Sequence, residues 1–414
     1  MKKLLILSVG MLLSLTAYAQ QDARIDWNAD LDYLVRELPA KHYDFFSVRS
    51  REEFLAGIEA VRAGAATRSD LHTALKIQQL IAEFGDSHTM LDIDPLLDMN
   101  RIIPLELLWA GEGLYVVGTT PENEELLGHR IRAIGKTPIT TVVDSLSTLL
   151  SIDNDAVVKS RIPRIMPLFQ LLEYFGFAAG EQVELTLEQG RTCEVKLTHG
   201  KRADKVSFRP DSLSFAVENS KLFFTGRYFP NDKIYYMLYN TCRSRELESK
   251  YGDKERAEEM PSFREFEEQA FSVLEREPVG KIVFDVRYNG GGNSSQGREF
   301  AEKLAAHLKK HPGIKVYVVL GRNTFSSAIL NAMDFRELTD AVFVGEETAG
   351  KPNHFGEVRS FRLPSSKLAL NYSTKYFKRT DDNVNTIAPD VRIETYFSDY
   401  AKGIDPVFEW IRKQ

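Results

Sequence analysis

Four clusters of small and polar residues hold the chemistry open to this chain. The first, Asp285-Val286-Arg287-Tyr288-Asn289-Gly290-Gly291-Gly292-Asn293-Ser294, directly follows the apolar run KIVF. Three consecutive glycines let a backbone run without Cβ hindrance and turn its N–H groups toward an anion or an oxyanion, more than a plain turn requires. No Gly-Lys-Ser/Thr follows and no Gly-x-Gly-x-x-Gly occurs, so the cluster is not a phosphate loop or a dinucleotide fingerprint. The second, Asn323-Thr324-Phe325-Ser326-Ser327-Ala328, stands between KVYVVLG and ILNAMDF. A serine at a strand-to-helix turn is either a nucleophile, favoured by the helix dipole and free N–H groups, or a simple N-cap, and the residues leave both open. The absence of a Gly-x-Ser-x-Gly elbow counts against an α/β-hydrolase. The third cluster, 345–354, carries Lys351 as a base or a surface charge, and the fourth is Gly85-Asp86-Ser87-His88-Thr89, polar between apolar neighbours.

The elements around these clusters divide the chain. Over 27–90 apolar residues recur at helical spacing (Leu31, Leu34, Val35, Leu38; Phe54, Ile58, Val61; Leu71, Leu75, Leu80), with Ser50 and Glu53 forming a capping box and Ser69 an N-cap. This predicts a small helical domain, 20–100. Short strand-like runs at 114–118, 129–135 and 183–188 surround one helical stretch near 142–150, predicting a β-rich domain over 101–200. From 201 to 414 strands at 233–240, 281–287, 315–321 and 341–347 alternate with helices at 262–276, 296–309 and 325–336. Alternation of that kind predicts an α/β layered domain, with the clusters just after strands, where such folds put their sites. The Lys/Glu-rich stretch 244–259 reads as a solvated loop or helix face.

Composition limits the partners. The 414 residues are 43% hydrophobic and 27% charged, with a formal charge of -6 and no basic block. That excludes a disordered chain and gives no positive field for nucleic acid or an anionic membrane. Cys193 and Cys242 are too few for a disulfide framework or a four-thiolate zinc site, and a bridge between them stays open. Lys2 and Lys3, an apolar run and Ala17-Tyr18-Ala19 read as a secretory signal peptide, 1–19, cleaved after Ala19. The expected protein is therefore periplasmic or secreted, with no membrane insertion after cleavage.

In order and in position after strands, 285–292, 324–328 and 345–351 resemble the core of the C-terminal-processing (tail-specific) serine peptidases and their tricorn-core relatives. The segment 127–139 resembles the strand-turn-strand of a PDZ domain. The resemblance runs from about residue 27 to the end and implies an α/β fold: a crotonase-like α/β core with an N-terminal helical domain and an inserted PDZ-like β-rich domain. It implies an exported serine endopeptidase acting on peptides or unfolded proteins, the alternative being a catalytically inactive homologue that binds peptides.

Marks of both branches of that family are present. The spacing from Ser326 to Lys351 fits the serine–lysine branch and selects Ser326 over Ser327, but Phe355 stands where a glutamine usually follows. Ser87-His88 ahead of the PDZ-like module matches the tricorn-like branch, in which histidine is the base. A histidine is a free base at neutral pH, whereas a lysine must be strongly desolvated to become one, so His88 is preferred. The late carboxylate implied by that branch falls on Asp382 or Asp381, before Pro389-Asp390, or that stretch is only a solvated acidic loop. Backbone N–H groups near Gly291 and Ser327 are the expected oxyanion donors. His42, His72, His129, His199, His307 and His311 read as packed or exposed residues, and His354 stays open. No His-Glu-x-x-His spacing occurs, so neither a metal nor another cofactor is expected.

Overall fold

The computed structural model describes residues 24–198 and 204–414; the expected signal peptide lies outside the described residues. Three capped helices open it. Asp26 accepts from the Asn28 and Ala29 amides at the start of α1 (Trp27–Lys41), the Ser50–Glu53 capping box starts α2 (Arg51–Ala65), and Ser69 caps α3 (Asp70–Ala82). Their apolar stripes do not close a core alone. Leu31, Leu34, Phe54, Ile58 and Ile77 pack with Leu363, Leu370 and Tyr372 from near the far end of the chain. The buried Asp30 carboxylate fixes this join by accepting from the Ser365 and Ser366 amides at 2.6 and 2.9 Å.

The β-rich segment holds two small sheets. In one, β1 (Glu106–Ala110) and β2 (Gly113–Thr119) pair antiparallel; in the other, β3 (Ile131–Ile134), β4 (Gln182–Leu187) and β5 (Thr192–Lys196) pair antiparallel in that order. Three helices lie here, not the single one expected: α4 (Ile139–Ser147), α5 (Asp155–Ile165) and a short turn at Phe169–Tyr174.

The last part is a six-stranded sheet of β6 (Phe224–Phe229), β7 (Ile234–Tyr239), β8 (Lys281–Asp285), β9 (Lys315–Leu320), β10 (Val342–Gly345) and β13 (Val391–Arg392), in spatial order β13-β10-β9-β8-β7-β6. All pairs are parallel except β6–β7. Alternate residues of β7 serve the two faces: Tyr235, Met237 and Tyr239 pack against helices α6 (Phe263–Arg276), α7 (Ser295–Lys310) and α8 (Ser327–Leu338). Ile234, Tyr236 and Leu238 face Phe215 and the C-terminal Pro406–Arg412 helix. Between β10 and β13 a long hairpin, β11 (His354–Arg362) and β12 (Ala369–Phe377), leaves the sheet and reaches the N-terminal helices. The 244–259 stretch forms two short helices, Arg245–Tyr251 and Lys254–Glu258. Cys193 and Cys242 are both free thiols.

Candidate active site

The carboxyl ends of β8, β9 and β10 converge, and the clusters at 285–292, 321–327 and 345–351 meet there as the strand order requires. Ser326 ends the second. Its backbone is left-handed, φ +54° and ψ −124°, and its hydroxyl does not cap α8, so the N-cap alternative is not realised. A non-glycine residue held so costs about 1–3 kcal/mol and persists only where its surroundings fix it. Here they do. Phe325 donates its amide to the Asn289 carbonyl at 3.0 Å, Thr324 Oγ1 donates to the Val286 carbonyl at 2.9 Å, and the Ala349 amide donates to the Thr324 carbonyl at 3.0 Å. Ser327 Oγ donates to the Gly292 carbonyl at 2.7 Å.

The glycines are needed for contact with that serine. Gly291 has φ +103°, and a Cβ there would lie 2.9 Å from Ser326 Cβ and 3.1 Å from the Ser327 nitrogen. Its own N–H is engaged by Asn289 Oδ1 at 2.8 Å, so Gly291 serves as the spacer, and its amide is not the free donor expected. The amides of Gly292 and Ser327 have no backbone acceptor among the described residues. Asp285 and Arg287, within the first cluster, belong to the scaffold. The buried Asp285 carboxylate accepts from Arg287 Nε at 2.8 Å and Tyr236 OH at 2.6 Å, and Arg287 also pairs with Asp405 at 3.0 Å.

His88 reaches the same place from the loop after α3. Its ring stacks on Phe325, the residue before Ser326, with centroids 4.6 Å apart, and on His354 at 5.8 Å. Both ring nitrogens are buried without a hydrogen-bond partner. Asp86 Oδ1 accepts the His88 amide at 2.9 Å and lies 3.8 Å from Nδ1. On its other oxygen Asp86 meets His42 Nε2 at 2.9 Å and accepts from Thr89 Oγ1 at 2.5 Å. Burial pushes this carboxyl up, but the bond to His42 and the neighbouring His88 and Thr89 outweigh it and hold Asp86 well below the usual carboxylate range. The His42 tautomer follows, because Nδ1 accepts from the Asp44 amide at 3.0 Å, leaving Nε2 to donate to Asp86.

Lys351 is also here, but engaged: its ammonium is 2.9 Å from the buried Asp153 carboxylate, whose pKa burial raises against the pull of that lysine. His354 Nδ1 faces the Lys351 and Pro352 carbonyls at 3.0 and 3.2 Å, and burial and the nearby His88 push its pKa down to about 4. Ser87 is half-buried beside His88. The two expected relay carboxylates are not brought in: Asp381 is exposed and pairs with Lys378 at 2.5 Å, and Asp382 is exposed with its Oδ2 near Thr380 Oγ1 at 3.4 Å. The carboxylate that meets His88 is Asp86, two residues before it. Sequence reading also missed His42, Asp153, and Arg161 of α5, whose guanidinium lies 5.6 Å over the Phe325 ring. A groove lined by Leu107, Ser160, Pro163, Arg164, Leu168 and Asn323 opens between the β-rich part and the sheet.

No protein-family model and no curated protein matches the chain. Among solved structures it is similar to mature CPAF complexed with lactacystin, at 12% identity, a TM-score of 0.63, and coverage of 94% of this chain and 97% of that one. It also aligns with the photosystem II D1 C-terminal processing protease (15% identity, TM-score 0.38, 88% and 92% covered). Tricorn protease aligns at 15% identity and a TM-score of 0.42, with 92% of this chain and 36% of that one covered. The first establishes the fold, the mixed α/β architecture of mature CPAF.

Proposed function

We propose that this protein is an exported serine endopeptidase acting on peptides or unfolded proteins, with Ser326 as nucleophile and His88 as general base. One observation carries the reading: a strained, uncapped serine at a helix start lies next to the aromatic ring on which an unengaged histidine stacks. In a non-glycine residue such strain persists only where the surroundings hold it, and presenting a hydroxyl is a reason to hold it. The free state of Ser326 and His88 favours a working enzyme over an inactive peptide binder. Ser326 Oγ bonds to the peptide carbonyl carbon as its proton passes to a His88 ring nitrogen, and the Ser327 N–H, with that of Gly292, faces the oxyanion. When the tetrahedral intermediate collapses, the C–N bond breaks and the leaving amine takes the proton from His88. Water, deprotonated by the same ring, then bonds to the acyl carbon, and the C–O bond to Ser326 breaks as the ring returns the proton to Oγ. Asp86 orients His88, and Lys351 acts as the partner of Asp153.

In this reading residues 101–200 are a PDZ-like module that delivers chain to the groove beside Asn323. Residues 201–414 are a crotonase-like core, and 1–19 a cleaved signal peptide. A fluorophosphonate label mapped by mass spectrometry tests the nucleophile. It should attach at Ser326, and Ser326→Ala should abolish both labelling and hydrolysis of an unfolded protein while the fold persists. Ser327→Ala removes one side-chain hydrogen bond, so it should cost about 1 kcal/mol of stability and leave most of the activity. An active Ser326→Ala enzyme beside a dead Ser327→Ala enzyme would overturn the assignment.

A further inference from the structure

At the opposite end of the strands from Ser326, where α6 and α7 end and lead into β8 and β9, three side chains of ligand type converge without a role in the site described above. The two helices run parallel. Lys303 pairs with Glu267 at 2.5 Å, Phe271 packs on Phe300 and on the His307 ring, and Glu275 Oε1 stands 3.3 Å from His307 Nδ1. One turn on, the His311 ring stacks on His307 with centroids 4.2 Å apart. One donor atom from each of Glu275, His307 and His311 lies within 4.8 Å of the others. His307 is 7% exposed, and its Nε2 is buried with no hydrogen-bond partner.

We propose that Glu275, His307 and His311 form a binding site for a divalent transition ion of the zinc type, one per chain, that staples the end of α6 to the end of α7. Two imidazoles and one carboxylate with an open position suit Zn2+ and its borderline neighbours, whereas Mg2+ and Ca2+ require oxygen ligands. The 3.3 Å between the Glu275 oxygen and the His307 nitrogen is close to the edge of a tetrahedron with metal–ligand bonds of ~2.0–2.1 Å. Glu275 and His311 are exposed, so both are free to close the remaining distance by rotation. The location also favours a cation. Glu275 lies in the last turn of α6 and His307 and His311 at the end of α7, so the negative ends of two helix dipoles meet there. A carboxylate at a helix C-terminus is unfavourable by itself, and a bound cation reverses that.

The test is titration of the metal-free full chain with Zn2+ alone, followed by calorimetry and thermal unfolding, with Mg2+ as the comparison. One Zn2+ should bind per chain and raise the melting temperature by several degrees at saturation, while Mg2+ does neither. His311→Ala and Glu275→Gln, both at exposed positions, should each weaken Zn2+ binding by more than ~10-fold. His88→Ala should leave it unchanged. Absence of Zn2+ binding would overturn the site and reduce Glu275 to an ion-pair partner of His307. Binding that survives His311→Ala and disappears in His88→Ala would also overturn it, as would half an ion per chain with dimer formation.

Discussion

His88 and Lys351 both stand within reach of the Ser326 loop, and their partners separate them. Neither His88 ring nitrogen has a hydrogen-bond partner, Asp86 Oδ1 standing 3.8 Å from Nδ1, whereas the Lys351 ammonium is tied to Asp153 at 2.9 Å. Loss of the base of a triad lowers turnover by ~10^4 or more, so His88→Ala should be nearly inert with substrate affinity little changed. Lys351→Met should retain measurable turnover but lose stability, since Asp153 is left buried without its partner; about 2 kcal/mol is expected, less than for a fully buried pair because Lys351 is partly exposed. Restoring balance with Asp153→Asn in the Lys351→Met background should recover much of that loss. Turnover and urea midpoints of the three variants decide between the roles: an inert Lys351→Met enzyme with wild-type stability would make the lysine the base.

Among the elements, the glycine segment and the helix start must approach each other more closely than side chains permit. Gly291→Ala places a methyl 2.9 Å from Ser326 Cβ on a backbone with φ +103°, so neither the loop nor the serine keeps its position. A displacement of ~1 Å at a reacting group is worth about 100-fold in rate, and Gly291→Ala should lose at least that. Gly290→Ala, where no atom lies within 4 Å of the added methyl, is the control and should stay active. Legibility in the sequence follows the same division. The buried strands of the sheet and helices α6 to α8 matched their apolar periods within one or two residues, because both faces of that sheet are covered. The helix α5 was missed: its sequence DAVVKSRIPRI is charged and contains Pro163, and what holds it is tertiary, Val157 packed on Phe325 and Asn154 bonded to the Thr348 carbonyl. The hairpin of β11 and β12 was missed for a related reason, as its apolar face is covered only by helices some 300 residues earlier. Ser326 and His88 stand out in the sequence as candidates; the approach of Asp86 to His88 does not, because the resemblance points to a carboxylate late in the chain, whereas Asp86 is only two residues from His88.

Assembly of the whole molecule depends on the place where these parts meet. His354 begins the hairpin that binds the N-terminal helices, and its ring stacks on His88 from the loop after α3, so one buried imidazole touches segments from opposite ends of the chain. Burial, with the neighbouring His88, pushes its pKa down to about 4 from an ordinary value near 6.5. Above pH 6.5 the ring is neutral whether the chain is folded or unfolded and imposes no penalty. Between 6.5 and 4 the unfolded chain binds the proton and the folded one does not, so stability falls as the pH falls, by roughly 3 kcal/mol over the window. Asp86 acts in a separate range: its carboxyl is lowered, so the stability it contributes is present above the unfolded value of 3.8 and is lost only as the pH falls below it. Urea unfolding of wild type and His354→Gln at pH 7 and pH 4.5 resolves the two. The wild type should lose more stability on acidification than the variant, with the difference closing at neutral pH. Parallel losses in both would mean that protonation of His354 does not govern the contact between the hairpin and the N-terminal helices.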